Sequence, residues 1–358
     1  MRISIRSREV RLFAAATFLT LIPAAPTIAA ADWSDIPVTH VEIPIPEDAP
    51  AYRSNIIDLD QTAHRLYTGD GALGGIDVFD ISGPIANYMT TVPVSGGAAN
   101  GVSVGANVHR VYAGLNDSSV AIIDTDPSSS TYNTVVANPN TGGEKRADEM
   151  DYDPVDRKLY VANSDDGFVS VIDGRTDQII KKIGDLGPGL EQPRYNPIDG
   201  MMYMTGTGLN VLYKFDPKND TLVKTYDVVD PCNPNGLAIN PKTNQALLGC
   251  SSRAAYRHVA VWDFAAEKVV QIILGPGAGN TSIYDPQVDL YFFVGRTNGD
   301  DQGTAIYSGA APVRLLGTVN AGKAGGGSVV FDETNGIVYV HDIRSDQPLG
   351  LASFPLPQ

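Results

Sequence analysis

Residues 150–162 read MDYDPVDRKLYVA. An apolar segment runs into an Asp-Pro turn, and the chain leaves it as a second apolar segment built around Tyr160. Alternation with period two, β-branched and aromatic residues and a Pro-containing turn predict two antiparallel strands joined tightly. The pattern recurs. IIDLDQTAHRLYTG, VSVGANVHRVYAG, PRYNPIDGMMYMTG, LAINPKTNQALLG, SIYDPQVDLYFFVG and VVFDETNGIVYVH bring the total to seven. Their matching anchors are Tyr67, Tyr112, Tyr160, Tyr203, Leu247, Phe292 and Tyr339, spaced 45, 48, 43, 44, 45 and 47 residues apart. That period suits a four-stranded propeller blade, because a helical solenoid of the same period would need amphipathic helices.

A third strand follows each pair (IDVFD, VAIID, VSVID, LYKFD, VAVWD, TAIYS, LASF), and six repeats carry a fourth, such as QIIKKI and KVVQIIL. The seventh repeat stops at Gln358 without one, whereas VTHVEIPI, residues 38–45, is a spare strand near the other end. The fold class is therefore all-β, a seven-bladed β-propeller closed by an N-terminal strand, which also covers the exposed edge.

Residues 1–31 carry Arg2, Arg6, Arg8 and Arg11, then an apolar run broken by Pro23 and Pro26, ending in Ala29-Ala30-Ala31. This is the layout of a cleaved signal peptide, leaving residues 32–358 as one propeller domain. A periplasmic or secreted protein is expected, with no later membrane span. Removing residues 1–31 takes away four Arg and one Glu and shifts the formal charge from −15 to −18. Such an acidic surface argues against nucleic acid as a partner. Cys232 and Cys250, an even pair in an exported chain, are expected to form a disulfide. With no CxxC and no neighbouring His, metal-binding thiols are the weaker alternative.

LYVANSDDGFVSVIDGRTDQIIKKI and IVYVHD resemble the YVTN-repeat, YncE-like β-propeller family over essentially the whole chain after residue 31. The resemblance implies the fold and, since such proteins often lack recognised catalytic groups, a binding role. A second, local resemblance lies at residues 233–241, NPNGLAINP, which is similar to a stretch of the regucalcin and gluconolactonase propellers. That family's Asn, here Asn235, is a ligand of a divalent metal. Its next Asp ligand falls on Cys250, which removes a hard oxygen donor, so no metal or other cofactor is expected, and a divalent metal near Asn235 is the weaker alternative.

In a propeller, the connections entering strand one and those from strand two to three share one face, where ligand sites usually lie. Asp80, Asp124, Asp173, Asp216 and Asp263 end third strands on the other face and read as turn caps. His64 and His109 fall in strand 1–2 turns, at the phase of Asp156 and Asn244 in other blades, and read as turn residues. Arg53, Arg146, Arg194, Arg253, Arg257, Arg296 and Arg344 are placed in loops of the ligand face, seven of the twelve arginines after residue 31. Guanidinium forks suit anions, so an anionic small molecule or an envelope protein is the expected partner of a monomeric binding propeller, with Asn235 and His258 close by. The alternative is a lactonase or lyase-type enzyme on a carboxylated or lactone substrate, with His341, Glu149 and Glu191 as acid/base candidates and Arg194, Arg257 and Arg296 holding the anion. No Gly-rich phosphate loop, Gly-x-Ser-x-Gly elbow or zinc-helix motif is present.

Overall fold

Seven four-stranded antiparallel sheets account for the strands of the computed structural model. It describes residues 33–44, 56–71, 73–229, 231–251, 257–277, 281–296, 302–321, 327–342 and 350–357, apart from the side chains of Arg296, Gln302 and Asp342. All of these belong to the unit of residues 32–358. The leader-like segment, residues 1–31, lies outside the described residues.

The inner strands are Ile57–Asp60, Ala99–Gly105, Met150–Asp153, Leu190–Asn196, Pro234–Asn240, Ser282–Asp285 and Val329–Asp332. Each touches the next, and the seventh returns to the first, so the sheets close a ring. The seven anchors sit on the second strands, all 2% exposed or less. Between them and the third strands the blades bury an almost continuous apolar layer, as in Leu159, Val161, Val169 and Val171. Outer strands alternate instead, half exposed in Lys268–Leu274, as sheets with one wetted face do.

Turn chemistry sets the repeat. Seven residues before the anchor, Asp60, Asp153, Asn196, Asn240, Asp285 and Asp332 each accept the backbone N–H two residues on, and all but Asn196 also that of the third residue on. Blade two has Gly105 at that position and makes its turn with a 3-10 segment, Ala106–Val108. Three residues before the anchor, the chain takes a left-handed conformation in every blade: His64, His109, Arg157, Gly200, Asn244, Asp289 and Gly336. The two histidines are thus turn residues as expected, although Arg157, not Asp156, stands at their phase. The third-strand acids cap their turns too, each accepting the N–H two residues later.

The N-terminal strand, Thr39–Glu42, pairs antiparallel with Gly350–Pro355 and is the outermost strand of blade seven. Just before it, Trp33 packs against Gly317 on the outer strand of blade six, so close that a Cβ there would lie 2.2 Å from the indole. The N-terminal segment therefore ties the last two blades together.

Cys232 and Cys250 are bridged, with Cα atoms 4.4 Å apart. They join the entry of blade five's inner strand to the end of its second strand. Eighteen residues separate them in sequence, so in the chain-entropy account the bridge contributes about 3 kcal/mol. The Cys232→Ala/Cys250→Ala double variant should therefore unfold at lower urea. An unchanged midpoint would show that the ring alone holds this loop.

Candidate functional site

Nine residues before each anchor, the inner strand presents a side chain directly across the ladder from it. The series is Asp58, Ser103, Asp151, Arg194, Ala238, Ile283 and Val330, paired with Tyr67, Tyr112, Tyr160, Tyr203, Leu247, Phe292 and Tyr339. Blades one to four supply polar or charged groups at this level of the channel; blades five to seven supply apolar ones. A cavity of about 170 Å³ lies there, lined by Asp58, Glu149, Asp151 and Arg194 on the polar side and by Ile57, Ile283 and Val330 on the other. Ile56, Glu149 and Thr281, at the starts of inner strands, extend it towards the face expected to carry ligands.

Hydrogen bonds between blades shape the cavity. Gln192, fully buried, reaches across the channel: its Oε1 accepts the N–H of Leu237 at 2.7 Å and of Ser282 at 3.1 Å, and its Nε2 donates to the Ser282 carbonyl. Arg194 crosses in the same direction, donating to the carbonyls of Pro193 and Ser282. The Thr281 and Ser328 hydroxyls bond to one another, and Ser328 accepts the N–H of Ile57. Asp58 accepts Val104 N–H of blade two at 2.8 Å, and Asp151 accepts Tyr195 N–H of blade four at 2.8 Å. Both acids are therefore also clamps between neighbouring inner strands.

Glu149 differs from them. It is 2% exposed, and its Oε2 has no hydrogen-bond partner. Burial is the main cause that pushes its carboxyl well above the ordinary range, with Glu191 and Asp148 adding repulsion and Arg194 and Arg146 opposing it. Burial likewise lifts Asp58 to about 7, against the two backbone N–H groups that favour its anion, and raises Asp151 despite Arg194. Burial thus shifts the carboxyl groups of the cavity towards their protonated forms.

The described arginines of the expected ring are engaged. Arg146 is bound to the buried Asp148 at 2.8 and 2.9 Å. Arg194 lies in the inner strand of blade four rather than in a loop, with Asp151 at 3.6 Å. Arg257 precedes a third strand. Arg53, Arg253 and Arg344, and the side chain of Arg296, lie outside the described residues. On the other face, Arg65 pairs with Asp80 and Arg110 with Asp124 and Asp177.

Among the acid/base candidates, Glu149 lines the cavity, whereas His341 and Glu191 are not among its described lining residues. His341 is buried in the second strand of blade seven, and His258, fully buried, starts the third strand of blade five. Asn235 is held in blade five, its Oδ1 accepting the Thr207 hydroxyl at 3.2 Å. The oxygens of Asp58, Glu149 and Asp151 do not gather within 4.8 Å of one another, too spread for one bare ion. Asp58 and Asp151 did not emerge as site residues from the sequence, although the constant offset of nine from the anchor marks both.

No protein-family model matches the chain. Over 185 residues, 51% of this chain, it is 25% identical to the uncharacterised protein YncE of Salmonella typhi, and equally to that of Salmonella typhimurium. The chain spans about half the length of these curated relatives, 49%. Among solved structures, hydrazine synthase of Kuenenia stuttgartiensis superposes with a TM-score of 0.69 at 14% identity, covering 89% of this chain and 98% of that one. U3-55K does so with a TM-score of 0.67 at 9% identity, covering 86% and 96%. These two likenesses show the fold alone. The seven closed blades make the chain a seven-bladed β-propeller, and its curated relatives, similar over half its length, are YncE proteins.

Proposed function

We propose that this protein is an exported binding propeller whose channel cavity takes a small organic cation. The ligand directs an ammonium-type group at Glu149, Asp58 and Asp151 and lays a hydrocarbon part on Ile283 and Val330. The observation that carries the reading is Glu149: a buried carboxyl with an unpartnered oxygen, in a cavity whose carboxylates outnumber its one guanidinium. A cation replaces the protons that burial holds on these groups and supplies the missing hydrogen bond. Spread carboxylates and an apolar wall favour an organic ligand over a bare metal ion. The disulfide and the leader-like residues 1–31 support an extracytoplasmic location. No described helix is long and apolar enough to cross a membrane.

Calorimetric titration with a panel of small aliphatic amines, and with the matching carboxylates and lactones, at pH 6 and pH 8 tests the reading. A cation should bind more tightly at pH 8, because Asp58 titrates at about 7 and must give up its proton. Glu149→Gln should weaken it by about 1.5–3 kcal/mol. An anionic ligand, the expectation from the arginine count, would need Asp58 and Glu149 protonated and would tighten towards pH 6 instead. That result would reverse the sign of the proposed ligand.

One observation favours a second reading, the lactonase or lyase-type enzyme. Asp58 at about 7 lies in the range of a general acid or base and shares its cavity with Arg194. Lactone turnover that switches near pH 7 and disappears in Asp58→Asn would establish it.

A further inference from the structure

Blade five holds a second cluster, away from the channel carboxylates. The Sγ atoms of Cys232 and Cys250 and a ring nitrogen of His258 all lie within 4.8 Å of one another. All three residues are fully buried. They come from three elements: the entry to the inner strand Pro234–Asn240, the end of Gln245–Cys250, and the start of His258–Asp263. The backbone holds them in place. Pro234 pairs with Cys250, Ser251 N–H donates to the Cys232 carbonyl at 3.0 Å, and His258 pairs with Leu274 of the outer strand. Gly277 backs His258 so closely that a Cβ there would stand 2.2 Å from its carbonyl oxygen.

We propose that reduction converts this disulfide into a binding site for monovalent copper, with the two thiolates and the His258 imidazole as ligands. Soft thiolates select Cu+, and imidazole suits copper. Structural zinc takes four ligands, and among the described residues no fourth His, Cys, Asp or Glu joins this group. Both cysteines belong to one buried apolar cluster with Leu237, Leu248 and Trp262. Two steps make the site. An external dithiol gives two electrons and two protons to the S–S bond, becoming a disulfide itself and leaving two thiols here. Cu+ then displaces both thiol protons and keeps its oxidation state. The oxidised bridge is the copper-free form, so occupancy follows redox poise.

The test uses the purified full chain, either oxidised or reduced and desalted anaerobically. Cu+ is delivered as its acetonitrile complex against the chromophoric chelator bicinchoninate. The reduced protein should withdraw one Cu+ per chain and lose both titratable thiols, while the oxidised protein withdraws none. X-ray absorption of the copper-loaded wild type should show two sulfur scatterers and one nitrogen, a readout that needs no variant to fold. His258→Gln should weaken retention, and Cys232→Ser/Cys250→Ser should abolish it. The proposal is overturned if the reduced chain cannot compete with the chelator, if the oxidised chain binds equally, if the first shell holds no nitrogen, or if Zn2+ displaces Cu+.

Discussion

Deleting residues 33–44 should turn a dispersed protein into an aggregating one. The deletion removes the strand Thr39–Glu42, whose four residues pair with Gly350–Ser353 and cover the open edge of blade seven. It also removes Trp33 and Ile43, 9% and 2% exposed, from the cores between blades. Burial of two such side chains contributes about 5 kcal/mol, and the uncovered edge becomes a template for pairing with other chains. Light scattering should rise and the urea midpoint fall. Trp33→Ala separates the two effects: it should lose about 3 kcal/mol through the cavity beside Gly317 yet stay dispersed, because the edge remains covered. A deletion variant that stays monodisperse with an unchanged midpoint would mean that the ring closes without its N-terminal strand.

The second large effect is expected at Arg194. Arg194→Met should lower stability by about 1–3 kcal/mol at pH 8, the scale for leaving partly buried charged and polar partners unsatisfied. The loss should shrink towards pH 5. Asp58, at about 7 in the folded protein, keeps its proton through a range where the unfolded chain has released it. Its burial therefore weighs on stability increasingly as pH rises from about 4 to about 7. Arg194 opposes the upward shift of Asp58, Asp151 and Glu149 alike, so without it more charge must be desolvated at high pH and little extra at low pH. The bonds to the Pro193 and Ser282 carbonyls add a smaller loss at every pH. Urea denaturation across pH 5–8 measures the slope. A loss independent of pH would assign Arg194 to those carbonyls alone.

Much of the architecture was legible along the chain. Asx-type turns, the left-handed residue three before each anchor, and the alternation of the strands are local: each depends on residues within one hairpin. Seven copies of a local rule give the blade count, and a repeat lacking its last strand points to the spare strand, residues 38–45, that completes it. The disulfide was expected from the even pair of cysteines, and the register sets that pair at the ends of adjacent strands of one blade.

The sites obey a different rule. Asp58, Glu149, Asp151 and Arg194 come from three blades and meet because the ring brings inner strands together around the axis. Sequence spacing identifies which residues share a phase, but not which of them end up across a 170 Å³ space from one another, nor which are deprived of water. Arg194 showed the difference: counted as a loop cation, it is an inner-strand residue beside Asp151. His258 showed it too. Along the chain the cysteines have no histidine beside them, yet the antiparallel pairing of Gln245–Cys250 with His258–Asp263 brings His258 to within 4.8 Å of both sulfurs. The sequence by itself determined the blades, because strand pairing and turns are read from near neighbours. Only the closed ring decided the charge and protonation of its channel, because convergence and desolvation arise once distant strands exclude water between them.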